Sequence, residues 1–197
     1  MAGTATRERI LESALTLFAE KGYDGVGVDL IAEKAGVKGP SIYKHFKGKE
    51  EILNVLVEQV EAYYETHFGS ESHIGKVPAS VEELVEQSMR RIQFTLQNDT
   101  MQKTRRILTM EQFRNERIAK LSTLHNLDGI HRMYTKIFEK MMEQGTIKKT
   151  DSKYLALAFV SPVALLIQTC DREPDRQKDA MKDMRAYMIY ILKDYKV

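Results

Sequence analysis

Residues 36–49 (GVKGPSIYKHFKGK) carry the clearest chemistry in the chain. They hold four lysines and one histidine and contain no acidic residue. Cations without neighbouring carboxylates suit phosphate oxygens, and the hydroxyls of Ser41 and Tyr43 add neutral hydrogen-bonding groups to the same stretch. The pattern predicts a surface for a phosphate-rich polymer. Charge alone leaves a second interpretation open, in which the stretch is a solvated basic turn without a ligand.

Two short predicted helices must position these side chains. The first has an apolar face spaced at i, i+3, i+4 and i+7, formed by Val28, Ile31, Ala32 and Ala35. Gly36 follows at once and can adopt the positive φ that ends a helix in a tight turn. The second helix is predicted from Pro40 to Phe46, with the proline near the first position, where a missing N–H costs nothing. Two short helices joined by a glycine-containing turn are typical of a helix-turn-helix.

With the preceding segment Ile10–Gly25, this stretch closely resembles the N-terminal DNA-binding domain of the TetR family of bacterial transcriptional regulators. The match covers about the first third of the chain, in register and without gaps. It includes Ile10-Leu11, Ala14, Leu17-Phe18, Gly22-Tyr23, Ile31-Ala32, Ala35-Gly36-Val37, Ile42-Tyr43, His45-Phe46 and Lys49-Glu50. The resemblance implies base contacts around residues 38–44 and phosphate contacts further along. The predicted DNA-binding residues are Lys38, Gly39, Ser41, Tyr43, Lys44, His45 and Lys49.

Two departures from the family pattern weaken the front edge of this surface. The family usually places a Ser or Thr before the second helix, where its hydroxyl caps the helix and touches phosphate. Here the positions are Val26 and Gly27, and a glycine N-cap brings no side-chain acceptor. Pro40 stands where the family often has glycine, and it removes one backbone N–H that could face DNA.

Composition predicts an all-α fold with about nine helices. The chain has 197 residues, is 43% hydrophobic and 29% charged, and contains four prolines and no tryptophan. Net charge is +2, and the first 55 residues hold eight Lys+Arg and eight Asp+Glu, so any affinity for DNA must come from the acid-free window rather than from bulk charge. Residues 4–64 are predicted as the helix-turn-helix domain and residues 65–197 as a larger helical domain for ligand binding and dimerisation.

The sequence offers little support for an enzyme, a metal site or a cofactor. His125 and His131 are six apart and point to different sides of a helix, and no phosphate-cradling glycine loop is present. Cys170 is the one cysteine, which fits a reducing cytoplasm and excludes an internal disulfide, while a redox role for it stays open. No signal core precedes the first helix, and the apolar run Leu155–Ile167 is too short to span a bilayer, so no membrane partner is predicted.

The second domain contains methionines and aromatic residues that could line an adaptable pocket, although residues at helical spacing are more often core. The resemblance implies a small-molecule effector bound there, which changes the spacing of two DNA-reading heads. The predicted pocket residues are Met89, Gln93, Phe94, Met110, Phe113, His125, Met133, Tyr134 and Phe138.

The last two predicted helices are expected to pair with those of a second copy. The helix from about Asp151 to Cys170 is apolar on nearly all sides, and the helix after Pro174 has apolar residues at alternating spacings of three and four. An intersubunit four-helix bundle fits both patterns, while packing within one chain is the alternative. The predicted interface residues are Phe159, Val163, Leu166, Met181, Met184, Met188, Ile191 and Tyr195.

The sequence therefore predicts a cytoplasmic, dimeric, TetR-like repressor that binds double-stranded operator DNA and releases it when an unidentified small molecule binds. Two-fold symmetry predicts a palindromic operator. The alternative is an all-α protein-interaction module whose helix-turn-helix is vestigial. The effect of salt separates the two, because binding to phosphates weakens steeply as salt rises.

Overall fold

The computed structural model describes residues 2–68 and 76–197, without the side chains of residue 2 and residues 64–68. The described residues form ten α-helical segments and no strand, which confirms the predicted all-α class. The segments are α1 (Ala2–Lys21), α2 (Val28–Lys34), α3 (Gly39–Ile42), α4 (Lys49–Phe68), α5 (Val81–Gln97), α6 (Asp99–Glu111), α7 (Glu116–Thr123), α8 (Gly129–Glu143), α9 (Ser152–Arg172) and α10 (Gln177–Leu192). Part of the linker predicted at residues 69–79 lies outside the described residues.

A π-helical turn, Leu124–Asp128, joins α7 to α8 without a break, so one helical stretch runs from Glu116 to Glu143. The amide of Gly129 donates to the carbonyl of Leu124, five residues earlier. A Cβ on Gly129 would lie 3.0 Å from that carbonyl oxygen, so the glycine lets the two backbone segments approach. The residues Asp128-Gly129 predict a bend in this stretch, and the structure has the wider turn immediately before the glycine.

Contacts divide the chain into two units. The first comprises Met1–His67 and Lys103–Ala119, and the second comprises Phe68–Gln102 and Lys120–Val197. The predicted division at residue 65 did not anticipate that residues 103–119 group with the N-terminal helices. An exposed ion pair within the first unit joins Arg114 Nη1 to Asp24 Oδ2 at 3.7 Å. Apolar residues of α6 and α7, including Ile107, Leu108 and Ile118, are buried.

Each unit has its own apolar residues in the interior. In the first unit, Ile10, Phe18, Ile31, Ile42 and Ile52 are almost fully buried. In the second, one cluster includes residues of α5, α8, α9 and α10, among them Leu84, Phe138, Phe159, Met184 and Leu192. Rings of Phe138 and Phe159 meet edge to face with centroids 5.5 Å apart.

Side-chain caps begin two helices of the second unit where the sequence predicts them. Ser80 Oγ accepts a hydrogen bond from the amide of Glu83 at 3.0 Å, and the Glu83 carboxylate accepts from the amide of Ala79 at 2.7 Å. The residues Ser-Val-Glu-Glu predict a capping box, and its serine half forms, while Glu83 reaches the amide of Ala79, one residue before the N-cap Ser80. Asp151 accepts from the amides of Lys153 and Tyr154, each at 3.0 Å, and so begins α9.

In the described part of the chain, α9 is also the one helix that is long and apolar enough to cross a bilayer, judged by length and composition alone. Its residues Leu155, Ala156, Phe159, Val160 and Val163 are buried within the second unit. Packing against α8 and α10 therefore accounts for one side of this apolar helix.

Candidate nucleic-acid interface

The turn between α2 and α3 fixes the direction in which α3 leaves α2. Gly36 has φ +65°, its amide donates to the carbonyl of Glu33 at 3.1 Å, and the amide of Val37 donates to the carbonyl of Ala32 at 2.9 Å. This pair of bonds is a Schellman motif, which requires a left-handed residue where Gly36 stands. The glycine that the sequence predicts to stop the helix therefore does so through a defined backbone geometry.

The α-helix α3 is shorter than predicted. It spans Gly39–Ile42, whereas the sequence predicted a helix that reached Phe46. After Ile42 the backbone tightens, because the amides of Lys44 and His45 donate to carbonyls three residues earlier, at 3.3 and 2.9 Å. Ile42 and Phe46 are buried, and they hold this short helix and its following turn against the unit.

The predicted DNA-binding side chains lie on the outer side of α3. Lys38, Tyr43 and Lys44 are exposed, the Tyr43 side chain at 62%, while Ser41 and His45 are half-buried. The structure brings these five residues together on one short segment of 38–45. Two cations and three neutral hydrogen-bonding groups on one exposed turn can engage phosphates and base edges together.

Gly39 and Gly27 have specific places at this surface. A Cβ on Gly39 would lie 3.1 Å from Asp29 Oδ1, so the glycine leaves room for that carboxylate beside the start of α3. Gly27 is the N-cap of α2, with φ −93° and no side-chain cap hydrogen bond, as the sequence predicts. The hydroxyl contact common in the family is therefore missing at this cap.

Lys49 has a structural role that the sequence reasoning did not foresee. Its Nζ donates to the backbone carbonyl of Tyr23 at 2.8 Å and lies 4.0 Å from the centroid of the Tyr23 ring. A cation over an aromatic face is stabilising, and the carbonyl uses one of three ammonium donors. Lys49 begins α4 and is half-buried, so it holds the α1–α2 loop and has fewer donors to offer a phosphate.

Glu111 supports the same loop from α6. Its carboxylate is 4% exposed and accepts a hydrogen bond from the amide of Tyr23 at 2.9 Å. Tyr23 is thus held on both backbone groups, by Glu111 at the N–H and by Lys49 at the carbonyl. Burial raises the pKa of the Tyr23 hydroxyl, and the charges of Glu50, Asp24 and Glu111 raise it further.

Arg7 is a residue near this surface that sequence reasoning missed. Its guanidinium carbon lies 5.0 Å from the centroid of the Phe46 ring, which is the buried aromatic residue directly after α3. A cation–π pair between residues so far apart in sequence leaves no periodic signal. Its position beside Phe46 adds a fixed cation to the first unit.

Comparison with known proteins agrees with this geometry. The family described as "Bacterial regulatory proteins, tetR family" matches residues 10–56, which contain most of α1, all of α2 and α3, and the start of α4. The N-terminal helix-turn-helix of this chain is of the TetR type. The predicted resemblance is therefore confirmed for the N-terminal unit.

Two curated relatives are similar to this chain over a short region. The biofilm operon negative transcriptional regulator IcaR of Staphylococcus epidermidis is 41% identical over 58 residues, which cover 29% of this chain and 31% of the relative. IcaR of Staphylococcus aureus strain Newman is 46% identical over 52 residues, 26% of this chain and 28% of the relative. The matches thus span less than a third of either relative.

Solved structures match over nearly the whole length. SmeT, the repressor of the Stenotrophomonas maltophilia multidrug efflux pump SmeDEF, is 20% identical with a TM-score of 0.71 and covers 100% of this chain and 93% of its own. A SmeT–triclosan complex gives 21% identity, a TM-score of 0.74, and coverage of 98% and 92%. The fatty acid degradation regulator FadR from Bacillus halodurans is 18% identical with a TM-score of 0.63, and the match covers 95% of this chain and 94% of FadR. At these identities the likeness shows a shared TetR-like fold.

The predicted effector residues fall in both units. Met110 and Phe113 belong to the first unit and are exposed, Phe113 at 90%. In the second unit Gln93 and Phe94 are exposed as well. These four residues stay predictions, and each is exposed in the structure.

The other predicted effector residues lie inside or beside the core of the second unit. Met89, Tyr134 and Phe138 are buried, and Met133 and His125 are half-buried. His125 stands in the π-helical turn, where burial lowers its pKa from 6.5 to about 4. The ring of Tyr134 packs 5.0 Å from that of Phe159, centroid to centroid.

The predicted dimer residues also divide into a buried group and a half-buried group. Phe159, Val163, Met184 and Met188 are at most 7% exposed within one chain, so they are core and are not available to a partner. The half-buried members are Leu166, Met181, Ile191 and Tyr195, which pack against that core. Helices α9 and α10, which the sequence predicts as the interface, expose a different set of apolar residues: Tyr154, Leu157, Leu165, Ile189 and Tyr190.

No group of three or more residues that could hold a metal ion occurs among the described residues. Cys170 is buried. The candidate site is therefore the exposed surface of residues 38–45, held in place by the buried Ile42 and Phe46.

Proposed function

We propose that this chain is a dimeric transcriptional repressor that binds operator DNA through residues 38–45 and releases it when a small molecule binds in the second unit. The observation that carries the proposal is the exposed Lys38–His45 segment, which the Schellman turn at Gly36 and the buried Ile42 and Phe46 hold in a fixed orientation. A preformed segment of this kind supports entry of α3 into the major groove.

The role as a repressor draws support from the relatives. IcaR is described as a negative transcriptional regulator and SmeT as a repressor. The effector role draws support from SmeT, which has been solved with triclosan. A cytoplasmic location goes with these proposals, since such a protein binds chromosomal DNA.

The proposed mechanism is a shift between two populations. One conformation has the spacing of reading heads that the operator requires, and another does not. A ligand can shift this equilibrium only by as much as its affinity for the second conformation exceeds its affinity for the first. The ligand and the DNA must then lower each other's binding affinity by the same factor. The π-helical turn and the core residues around Tyr134 lie in the unit where such a ligand is proposed to bind.

Selection of bound fragments from genomic DNA tests the proposal, followed by gel shift on the selected site at several salt concentrations. We expect a palindromic or nearly palindromic site and an affinity that falls steeply with salt, since each phosphate contact releases counterions. Failure to enrich any fragment, or binding that salt does not change, would contradict DNA recognition and favour a protein-interaction module.

A further inference from the structure

Arg91 of α5 is a half-buried cation for which the described residues supply no ion pair. Its Nη1 donates to the thioether sulfur of Met133 at 3.2 Å. Sulfur of this kind is a weak acceptor, whereas a guanidinium forms its strong, paired hydrogen bonds with carboxylates or phosphates. Within residues 76–197, no carboxylate is paired with Arg91.

The acidic residues of the same helix are engaged elsewhere. Glu86 pairs with Arg185, Glu82 pairs with Lys196, and Glu83 lies 3.4 Å from Lys76. The positions one helical turn from Arg91 hold Gln87, Ser88, Phe94 and Thr95, none of them acidic. The sequence of α5 therefore leaves this guanidinium without the i,i±4 partner that commonly neutralises an arginine on a helix.

A buried chain of hydroxyls lies beside Arg91. The Tyr134 hydroxyl donates to Ser88 Oγ at 2.8 Å, and Ser88 Oγ donates to the carbonyl of Leu84 at 2.8 Å. Ser88 is 1% exposed and Tyr134 is 6% exposed. Ser88 lies one helical turn before Arg91 on α5, and Tyr134 directly follows Met133 on α8. Burial raises the pKa of the Tyr134 hydroxyl, while Ser88 and the charge of Arg91 oppose part of the rise.

The other side chains around this polar group are apolar, and two of them are flexible methionines. The Tyr134 ring lies 6.3 Å from Phe138 and 5.0 Å from Phe159, and Met133 and Met89 stand nearby on α8 and α5. Methionine side chains rearrange readily around ligands of different shape. The group thus combines one unneutralised cation, two hydroxyls and an apolar surround.

We propose that Arg91 anchors the effector of this protein, that Tyr134 and Ser88 orient it, and that the effector is an amphipathic carboxylic acid. Its carboxylate displaces the Met133 sulfur from the guanidinium, and its apolar part lies against Met133 and Met89. This proposal rests on the proposed function, because an effector site presupposes a ligand-responsive regulator.

Calorimetry on the full-length protein without DNA tests the site directly. The probes are decanoate and 2-naphthoate, each with its uncharged counterpart, decan-1-ol and 2-naphthylmethanol. We expect at least one acid to bind the wild type, and Arg91→Gln to weaken it by about tenfold or more, since a charged hydrogen bond is lost. Arg91→Lys should restore part of the affinity, because the point charge remains.

The matched control is Arg90→Gln, which removes the neighbouring exposed arginine and should leave binding of the acids unchanged. The uncharged counterparts should bind wild type and Arg91→Gln with equal affinity. Circular dichroism confirms that each variant is folded. Equal binding of an acid to wild type and Arg91→Gln, or no binding of either acid at millimolar concentration, overturns the proposal.

A gel shift separates this proposal from the proposed function. An acid that binds through Arg91 and releases the selected DNA supports both. An acid that binds through Arg91 and leaves DNA binding unchanged supports the site, while the role of the ligand in DNA release fails.

Discussion

The hydroxyl of Tyr187 on α10 donates a hydrogen bond to the backbone carbonyl of Ala158 on α9. Pro162 stands four residues after Ala158, and a proline has no N–H with which to complete the helical bond to that carbonyl. Helix α9 nevertheless continues through Pro162 to Arg172. The side chain of the neighbouring helix therefore supplies the hydrogen bond that the proline removes from α9.

Replacement of Tyr187 by Phe should lower the free energy of unfolding by about 1–3 kcal/mol, because a partly buried carbonyl is left without a partner. The same replacement should cost less in a Pro162→Ala background, since the alanine N–H can reach Ala158. Urea denaturation of the four proteins at one protomer concentration measures this coupling. Tyr154→Phe, at an exposed tyrosine, is the control. An equal cost in both backgrounds would contradict the assigned role of Tyr187.

The hydrogen bond between Tyr187 and Ala158 shows how much of the structure the sequence alone could predict. A proline inside an apolar helix predicted a kink in α9, because the sequence shows which bond is lost. The hydrogen bond from Tyr187 could not be read from spacing, since it joins residues 29 apart through tertiary packing. Local rules did predict the Gly36 stop and the Ser80 and Asp151 caps, all of which involve residues within one helical turn.

Glu111→Ala should destabilise the first unit by about 1–3 kcal/mol, because the amide of Tyr23 loses its acceptor in a buried position. Glu111→Gln should cost less, since an amide oxygen still accepts. Chemical denaturation measures both, and Glu20→Ala, at an exposed position of α1, should change little. Similar losses for the alanine and glutamine variants would mean that the acceptor oxygen is not what stabilises the loop.

Lys49→Ala should reduce both stability and affinity for DNA. Its ammonium holds the carbonyl and ring of Tyr23, worth about 1 kcal/mol in total, so its removal loosens the α1–α2 loop. Lys44→Ala is the matched control, because Lys44 is exposed on the segment after α3. It should leave the melting temperature unchanged and reduce the slope of log affinity against log salt by about 1. Unchanged stability of Lys49→Ala would contradict the structural role.

The sequence placed the DNA-binding residues together but not the effector and dimer residues, and this difference has a physical cause. Six of the seven predicted DNA-binding residues lie within residues 38–45, so a local motif places them on one segment, while Lys49 begins α4. Effector and dimer residues come from helices far apart in sequence. Apolar spacing identifies the buried face of each helix but does not distinguish a monomer core from a pocket or a partner, so Phe159 and Met184 were assigned to an interface although they are core.

His125 makes stability depend on pH. Burial lowers its folded pKa to about 4, below its ordinary value of 6.5, so the unfolded chain binds the proton more tightly. Its contribution is fully present above pH 6.5 and is lost as pH falls toward 4, by up to about 2 kcal/mol after allowance for its partial exposure. The melting temperature of His125→Gln should fall less than that of wild type between pH 7.5 and 4.5. Parallel pH curves for the two proteins would contradict this assignment.

Leu165→Glu should convert the proposed dimer into a monomer. Leu165 is 61% exposed on α9, Leu157 lies two helical turns earlier, and α10 adds Ile189 and Tyr190, so a second copy could cover an apolar surface from both helices. A glutamate there would place an unpaired charge in a buried interface. Sedimentation velocity measures the outcome. The control is Phe113→Glu, at an apolar residue 90% exposed in the first unit, which should leave the dimer intact. A Leu165→Glu protein that still sediments as a dimer would show that the two copies meet elsewhere.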